Sequence, residues 1–218
     1  MEPDSYHLTN LLLKSATALS LIVPDTAIPL FLKYLNELKK WNQAINLTAI
    51  QEDEGIIVKH FVDSLVGLKV IDIHDETDLL DVGAGAGFPS LPLKLVRPTL
   101  SVVLLEPSEK KSSFLRFVIG SLNIRQATVA TSKLENYVSR SGTQRLFQYI
   151  VVRALKIDMM GAMLASFLKE GGKVVLFRSA KAERNFRLES LALIQEVEYD
   201  LPLGYGHRTL SVFSKPIT

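Results

Sequence analysis

The chain contains no cysteine. No disulfide framework, Cys zinc site or thiolate nucleophile can be built from it, and Cys-adduct attack on a pyrimidine carbon is excluded. Charge of one sign is also lacking: 25 basic and 23 acidic residues leave a net charge of +2. A whole-molecule basic field is therefore absent, and any nucleic-acid site must be a local patch. No apolar run reaches the ~18 residues that a membrane helix needs. The start, Met1-Glu2-Pro3-Asp4, has no basic stretch leading into an apolar one, so a secretory signal is not expected and the cytoplasm is. The four histidines, His7, His60, His74 and His207, lack close ligand spacing, so no metal site is expected.

What remains is ordinary globular composition, 47% hydrophobic over 218 residues, enough to bury a sizeable core. Two patterns divide it. Residues 1–70 read as a helical extension packed on the core. Leu30, Tyr34, Leu38 and Trp41 recur at helical spacing, with Asp25 as a cap and Pro29 in the first turns. A second helix is expected over 53–68, with Ile57, Phe61 and Leu65 on one side. From residue 71 to 218 short apolar runs alternate with helical stretches. Strands are expected at 79–82, 102–105, 127–131, 149–152 and 174–177, and helices at 89–96, 109–122, 133–138, 158–168 and 180–193. Residues 196–203 and 208–215 alternate in the strand manner around Gly204-Tyr205-Gly206 and read as an antiparallel hairpin. The expectation is α/β: a Rossmann-like, mostly parallel sheet closed by a C-terminal hairpin, the layout of class I methyltransferases, plus N-terminal helices.

The sharpest feature is Asp81-Val82-Gly83-Ala84-Gly85-Ala86-Gly87-Phe88, between an apolar strand and a helix. Glycines permit positive φ and close ligand approach, and the helix offers free amides. A dinucleotide loop needs glycine at the position Phe88 fills. A carboxylate at Asp81 suits a cationic amino group or its water better than a pyrophosphate. Glu106 lies 23 residues beyond Gly83, near the ~20-residue offset of an acid that grips ribose hydroxyls. The combination indicates S-adenosylmethionine. A dinucleotide oxidoreductase and a plain tight turn are the alternatives.

Together with Pro89-Ser90-Leu91-Pro92-Leu93, this string resembles the motif of the RsmG/GidB family, 16S ribosomal RNA guanine-N7 methyltransferases. Trp41-Asn42, Asn46-Leu47-Thr48, His60-Phe61-Val62-Asp63-Ser64-Leu65, Lys110, Phe114-Leu115-Arg116 and Val152-Arg153-Ala154 carry the resemblance from about residue 30 to 180. It implies that Gly83, Gly85, Gly87 and Phe88 line the cofactor loop and that Glu106, more often Asp in the family, holds the ribose. It also implies that Leu134 and Glu135 sit beside the adenine, and that Arg153 faces the cofactor carboxylate or the target nucleotide. The implied partner is 16S rRNA or the small ribosomal subunit, and a monomer is expected. The chain differs from the family pattern at Val152 (usually Ser), at Ser90 (usually Gly) and at Phe177-Arg178-Ser179 (usually Leu-Lys-Gly).

Methyl transfer is an in-line displacement in which positioning supplies most of the acceleration. Guanine N7 has a free lone pair and no proton to remove, so no general base is required, whereas a hydroxyl target would profit from one. No strictly catalytic residue is assigned. Arg153, His60 and Asp63 are positioning candidates. His60 and Asp63 share a helix face, and either bind the target nucleotide, brace the N-terminal helices, or pair with each other structurally. Trp41 either stacks on a base or packs in the core. Lys173, Arg178, Lys181, Arg184 and Arg187, with Phe177 and Phe186 interleaved, form either a phosphate-binding run or a solvated face, and Lys110, Lys111 and Arg116 extend it. Methylation of a protein or small molecule and a non-enzymatic binding role remain alternatives.

Overall fold

The computed structural model describes residues 3–74, 77–140, 146–154, 160–179 and 188–216. The chain starts with α1 (Pro3–Ala18) and α2 (Ile28–Ile45). In α2 the expected stripe buries Tyr34 and Leu38 completely. Pro29 sits in the first turn, where its missing N–H costs nothing. Asp25 does not cap α2; it opens a 3-10 turn, Asp25–Ala27, whose backbone leads directly into the helix. The helix runs past Trp41 and stops where Asn46 turns left-handed at φ +50°.

Residues 53–69 form one helical run of changing pitch: α-helical Asp53–Ile56, π-helical Ile57–Val62, α-helical Asp63–Leu65 and 3-10 Val66–Lys69. The Asp63 amide reaches back five residues to the Val58 carbonyl. Such π segments are rare and often mark functional sites. Ile57, Phe61 and Leu65 are at most 1% exposed, as the spacing implies.

Seven strands make one sheet: β1 (Asp78–Val82), β2 (Ser101–Leu105), β3 (Ala127–Ala130), β4 (Phe147–Arg153), β5 (Leu168–Arg178), β6 (Ala192–Leu201) and β7 (Gly206–Ser214). Their order is β3-β2-β1-β4-β5-β7-β6. The first five are parallel, and β7 runs antiparallel to β5 and β6. The order reverses beside β1, and in such sheets ligands bind outside the carboxyl ends of the strands at that point.

The helices α3 (Ser90–Val96), α4 (Glu109–Ser121), α5 (Leu134–Arg140) and α6 (Gly161–Ser166) belong to the sheet half. The helix expected over 158–168 is shorter: residues 155–159 lie outside the described residues, and Leu168 is already in β5. Phe167 and Leu168 are buried in either element, so periodicity could not set that boundary. The helix expected over 180–193 falls on 180–187, outside the described residues. Its C-terminal part is not helical, because Leu188 and Leu191 bridge and β6 begins at Ala192. The hairpin strand expected to reach Leu203 stops at Leu201, before a 3-10 turn.

Alternation along the strands sorts the core. Leu79, Val102, Leu104 and Val151 join a cluster that includes Leu12, Phe31, Leu38 and Phe61 from the N-terminal helices. Leu80, Val103, Ile150 and Val174 point to the other face with Leu134, Leu164 and Phe167. A fully buried Phe or Leu contributes about 1.5–3 kcal/mol, so the N-terminal helices are held mainly by this shared apolar face.

Candidate active site

The loop after β1 is drawn onto the end of β2. The Gly83 and Ala84 amides both donate to the Leu105 carbonyl, at 2.8 and 3.1 Å. Gly83, Gly85 and Gly87 have φ of +75°, +57° and +95°, which explains the glycines directly. Glu106 follows β2. Its Oε2 accepts from the Gly85 amide and its Oε1 from the Ser108 amide, both at 2.9 Å. Ser108 is also the N-cap of α4. The acid is thus fixed by two backbone donors while each oxygen keeps a lone pair for a ligand hydroxyl.

These groups border a cavity of about 450 Å³. Gly83, Gly85, Glu106, Leu134, Glu135 and Arg153 line it, all six expected from the sequence as cofactor contacts. Asp81, Gly87 and Phe88 stand behind the lining. The Asp81 carboxylate is completely buried; Oδ2 accepts from the Ser90 amide at 3.2 Å and from the Ser90 hydroxyl. Oδ1 has no partner among the described residues. Burial pushes this acid up to about 6 against the two Ser90 hydrogen bonds and the Arg153 charge, which pull it down.

Gly87 and Phe88 connect the loop to the N-terminal helices. Tyr34 of α2 donates its hydroxyl to the Ala86 carbonyl and stacks on Phe88 with centroids 5.6 Å apart. His60 stacks on the same Phe88 ring. The Asn42 side chain makes two hydrogen bonds to the Thr48 backbone, and the Thr48 hydroxyl meets His60 Nε2 at 2.8 Å. Asn42 and Thr48, one from each of those two strings, therefore support His60. Trp41 packs against Phe114 and Phe117, the core alternative for that residue.

The structural pairing of His60 with Asp63 is corrected. His60 turns to Thr48 and Phe88, while Asp63 turns to Arg153 Nη2 at 2.8 Å and to the Tyr199 hydroxyl at 2.7 Å. The π-helical pitch separates the two side chains that regular helical spacing would place together.

Residues 27–204 match the GidB family, described as rRNA small subunit methyltransferase G. The chain belongs to this family. The "Ribosomal RNA small subunit methyltransferase G" of Lactococcus lactis subsp. cremoris (strain SK11) is 31% identical over 99% of this chain and 91% of its own length. The protein of the same name from Roseiflexus sp. (strain RS-1) is 44% identical over 71% of this chain and 64% of its own. Among solved structures, coclaurine N-methyltransferase bound to N-methylheliamine and SAH has a TM-score of 0.57 at 10% identity, covering 99% of this chain and 90% of that one. That likeness is one of fold: this chain has the class I methyltransferase architecture.

Of the expected RNA contacts, Lys110 is exposed on α4 and Arg178 is half-buried at the C-terminal end of β5, the strand end that faces the cavity side. Lys181, Arg184 and Arg187 lie outside the described residues. Lys173 does not belong with Arg178: it sits mid-strand and lines a separate polar cavity with Lys69, Asp72 and Arg97. Five residues of extended strand separate the two by ~17 Å, as the strand expected at 174–177 implies. Arg116 is engaged by the Thr131 hydroxyl.

Lys111, Ser132, Lys133 and Met160 also line the cavity and were not expected there. Lys133 adjoins the expected Leu134-Glu135 pair, so its position was readable. Tyr34 and Tyr199 act by contacts across the fold and carry no local signal, whereas Thr48 lies in the Asn46-Leu47-Thr48 string.

Proposed function

We propose that this chain transfers the methyl group of S-adenosylmethionine to N7 of a guanine in 16S rRNA of the small ribosomal subunit, acting as a cytoplasmic monomer. Family membership supports the reaction and the substrate class. The observation that carries the cofactor is the Glu106 carboxylate, held by the Gly85 and Ser108 amides at the cavity. A rigid acid there suits a pair of ribose hydroxyls.

When bound, the cofactor supplies an electrophilic sulfonium methyl. Glu106 holds the ribose, Leu134 and Glu135 flank the adenine, and the glycine loop lets its backbone approach. Arg153 offers a fixed positive charge for the carboxylate. Asp81 lies one layer behind and sets the loop through Ser90. No proton need be removed from N7, and the chain's task is orientation. The neutral His60 braces Phe88 rather than acting on the base. Lys110 and Arg178, with Lys181, Arg184 and Arg187, bind phosphates of the RNA.

Transfer of labelled methyl from S-adenosylmethionine into small ribosomal subunits and protein-free 16S rRNA tests the substrate class. Label in the RNA fraction is expected. Label in ribosomal protein, or in neither, overturns the reading.

A further inference from the structure

Arg153 is the last residue of β4, and Ala154 behind it turns the chain at φ +57°. The residue lines the cavity, and its guanidinium is bonded into the 53–69 helix. Nη2 donates to the Lys59 carbonyl and forms an ion pair with Asp63 Oδ2 at 2.8 Å, and Nη1 reaches the Ser64 hydroxyl at 3.4 Å. The Lys59 carbonyl lies in the π-helical stretch. A guanidinium has five N–H donors in one plane; the helix takes the Nη1 and Nη2 end of it, which leaves the Nε–H as the donor for a ligand.

What fixes the plane is Asp63. Its carboxylate is 2% exposed and both oxygens are used, Oδ2 by Arg153 and Oδ1 by the Tyr199 hydroxyl. Rotation of such a buried carboxylate would strand one oxygen, which is costly. Tyr199 is on β6, 136 residues from Asp63 in sequence, 7% exposed and absent from the cavity wall. Burial and the adjacent Asp63 carboxylate both keep its hydroxyl protonated, so it is a permanent donor.

We propose that Tyr199 is a positioning residue: through Asp63 it fixes the Arg153 guanidinium so that its Nε–H donates to the carboxylate of the bound cofactor. The C-terminal hairpin is thereby part of the cofactor site without touching the cofactor. The identity of the ligand rests on the functional reading above.

Calorimetric titration of the full chain tests this, with two probes that differ at one end. S-adenosylmethionine carries the amino-acid carboxylate; 5′-methylthioadenosine lacks it. Tyr199→Phe keeps the ring and removes only the hydroxyl. Its Kd for S-adenosylmethionine rises about tenfold, the scale of one weakened charge-assisted hydrogen bond, while its Kd for 5′-methylthioadenosine stays within twofold. In an Arg153→Lys background the same change has no further effect on S-adenosylmethionine. Asp63→Asn reproduces the selective loss. In the unaltered protein, the Arg153 Nε–H resonance shifts with S-adenosylmethionine and not with 5′-methylthioadenosine, a readout that needs no variant. Equal weakening of both probes, additivity with Arg153→Lys, or an unmoved Arg153 resonance overturns the proposal while leaving the functional reading intact. Failure of the unaltered protein to bind S-adenosylmethionine overturns both.

Discussion

The His60 imidazole lies parallel to the Phe88 ring, with 4.6 Å between centroids and 13° between planes. It joins the 53–69 helix to the glycine loop, and it must be neutral to do so. Burial first, then the Arg153 and Lys59 charges, push its pKa down from 6.5 to about 3. An unfolded histidine takes a proton near 6.5, so unfolding binds a proton below that pH. The contribution of His60 is therefore full above 6.5 and is lost as pH falls toward 3. His60→Gln keeps a partner for Thr48 but cannot titrate. Urea denaturation is expected to show the wild type losing about 2 kcal/mol more than His60→Gln between pH 7 and pH 5.

Asp81 has the opposite sign. Its carboxyl is pushed up from 3.8 to about 6, chiefly by burial. The folded chain then favours the protonated acid, and that contribution is present below 3.8 and lost as pH rises through 6. Asp81→Asn is neutral at every pH. Its stability relative to wild type is expected to improve by about 1–3 kcal/mol from pH 4 to pH 7.5. A difference that does not change with pH would contradict the buried carboxyl.

Two glycines of one loop separate backbone strain from crowding. A Cβ at Gly85, φ +57°, meets nothing closer than the Gly83 carbonyl at 3.9 Å, so Gly85→Ala costs about 1 kcal/mol of strain alone. A Cβ at Gly87, φ +95°, falls 2.5 Å from Leu91 Cδ1 and 2.6 Å from the Tyr34 hydroxyl. Gly87→Ala is expected to cost about 3 kcal/mol or more in a denaturant titration.

Glu106→Gln keeps the shape of the acid and exchanges an acceptor for a donor that faces the Gly85 or Ser108 amide. Affinity for S-adenosylmethionine is expected to fall about tenfold or more by calorimetry, because a charged acceptor for the ribose is lost and the loop loses its anchor. An unchanged affinity would remove Glu106 from the cofactor site.

The parallel strands and the glycine loop were legible because their signals are local. Asp81 through Phe88 and Glu106 lie within one β-loop-helix-β unit, and the continuous apolar runs of β1 and β2 mark strands buried on both faces. What escaped was set by distance. Asp63 reads as a partner of His60 on any regular helix; only the π-helical pitch and the arrival of Arg153 and Tyr199 from elsewhere separate them. The strand expected at 174–177 already separates Lys173 from Arg178; what escaped is that Lys173 lines a different cavity. Asp81 was legible as a site residue, but not its withdrawal behind Ser90, since the sequence does not say which side of the loop a carboxylate occupies.

N7 of a guanine is the proposed acceptor of the methyl group. 16S rRNA methylated by the purified chain, reduced with borohydride and cleaved with aniline, breaks at N7-methylated guanines. One new cleavage, at a single guanine and absent from RNA treated with the Gly83→Arg variant, is the predicted result. Methyl incorporation into the RNA without any new cleavage would contradict it and assign the enzyme a different atom.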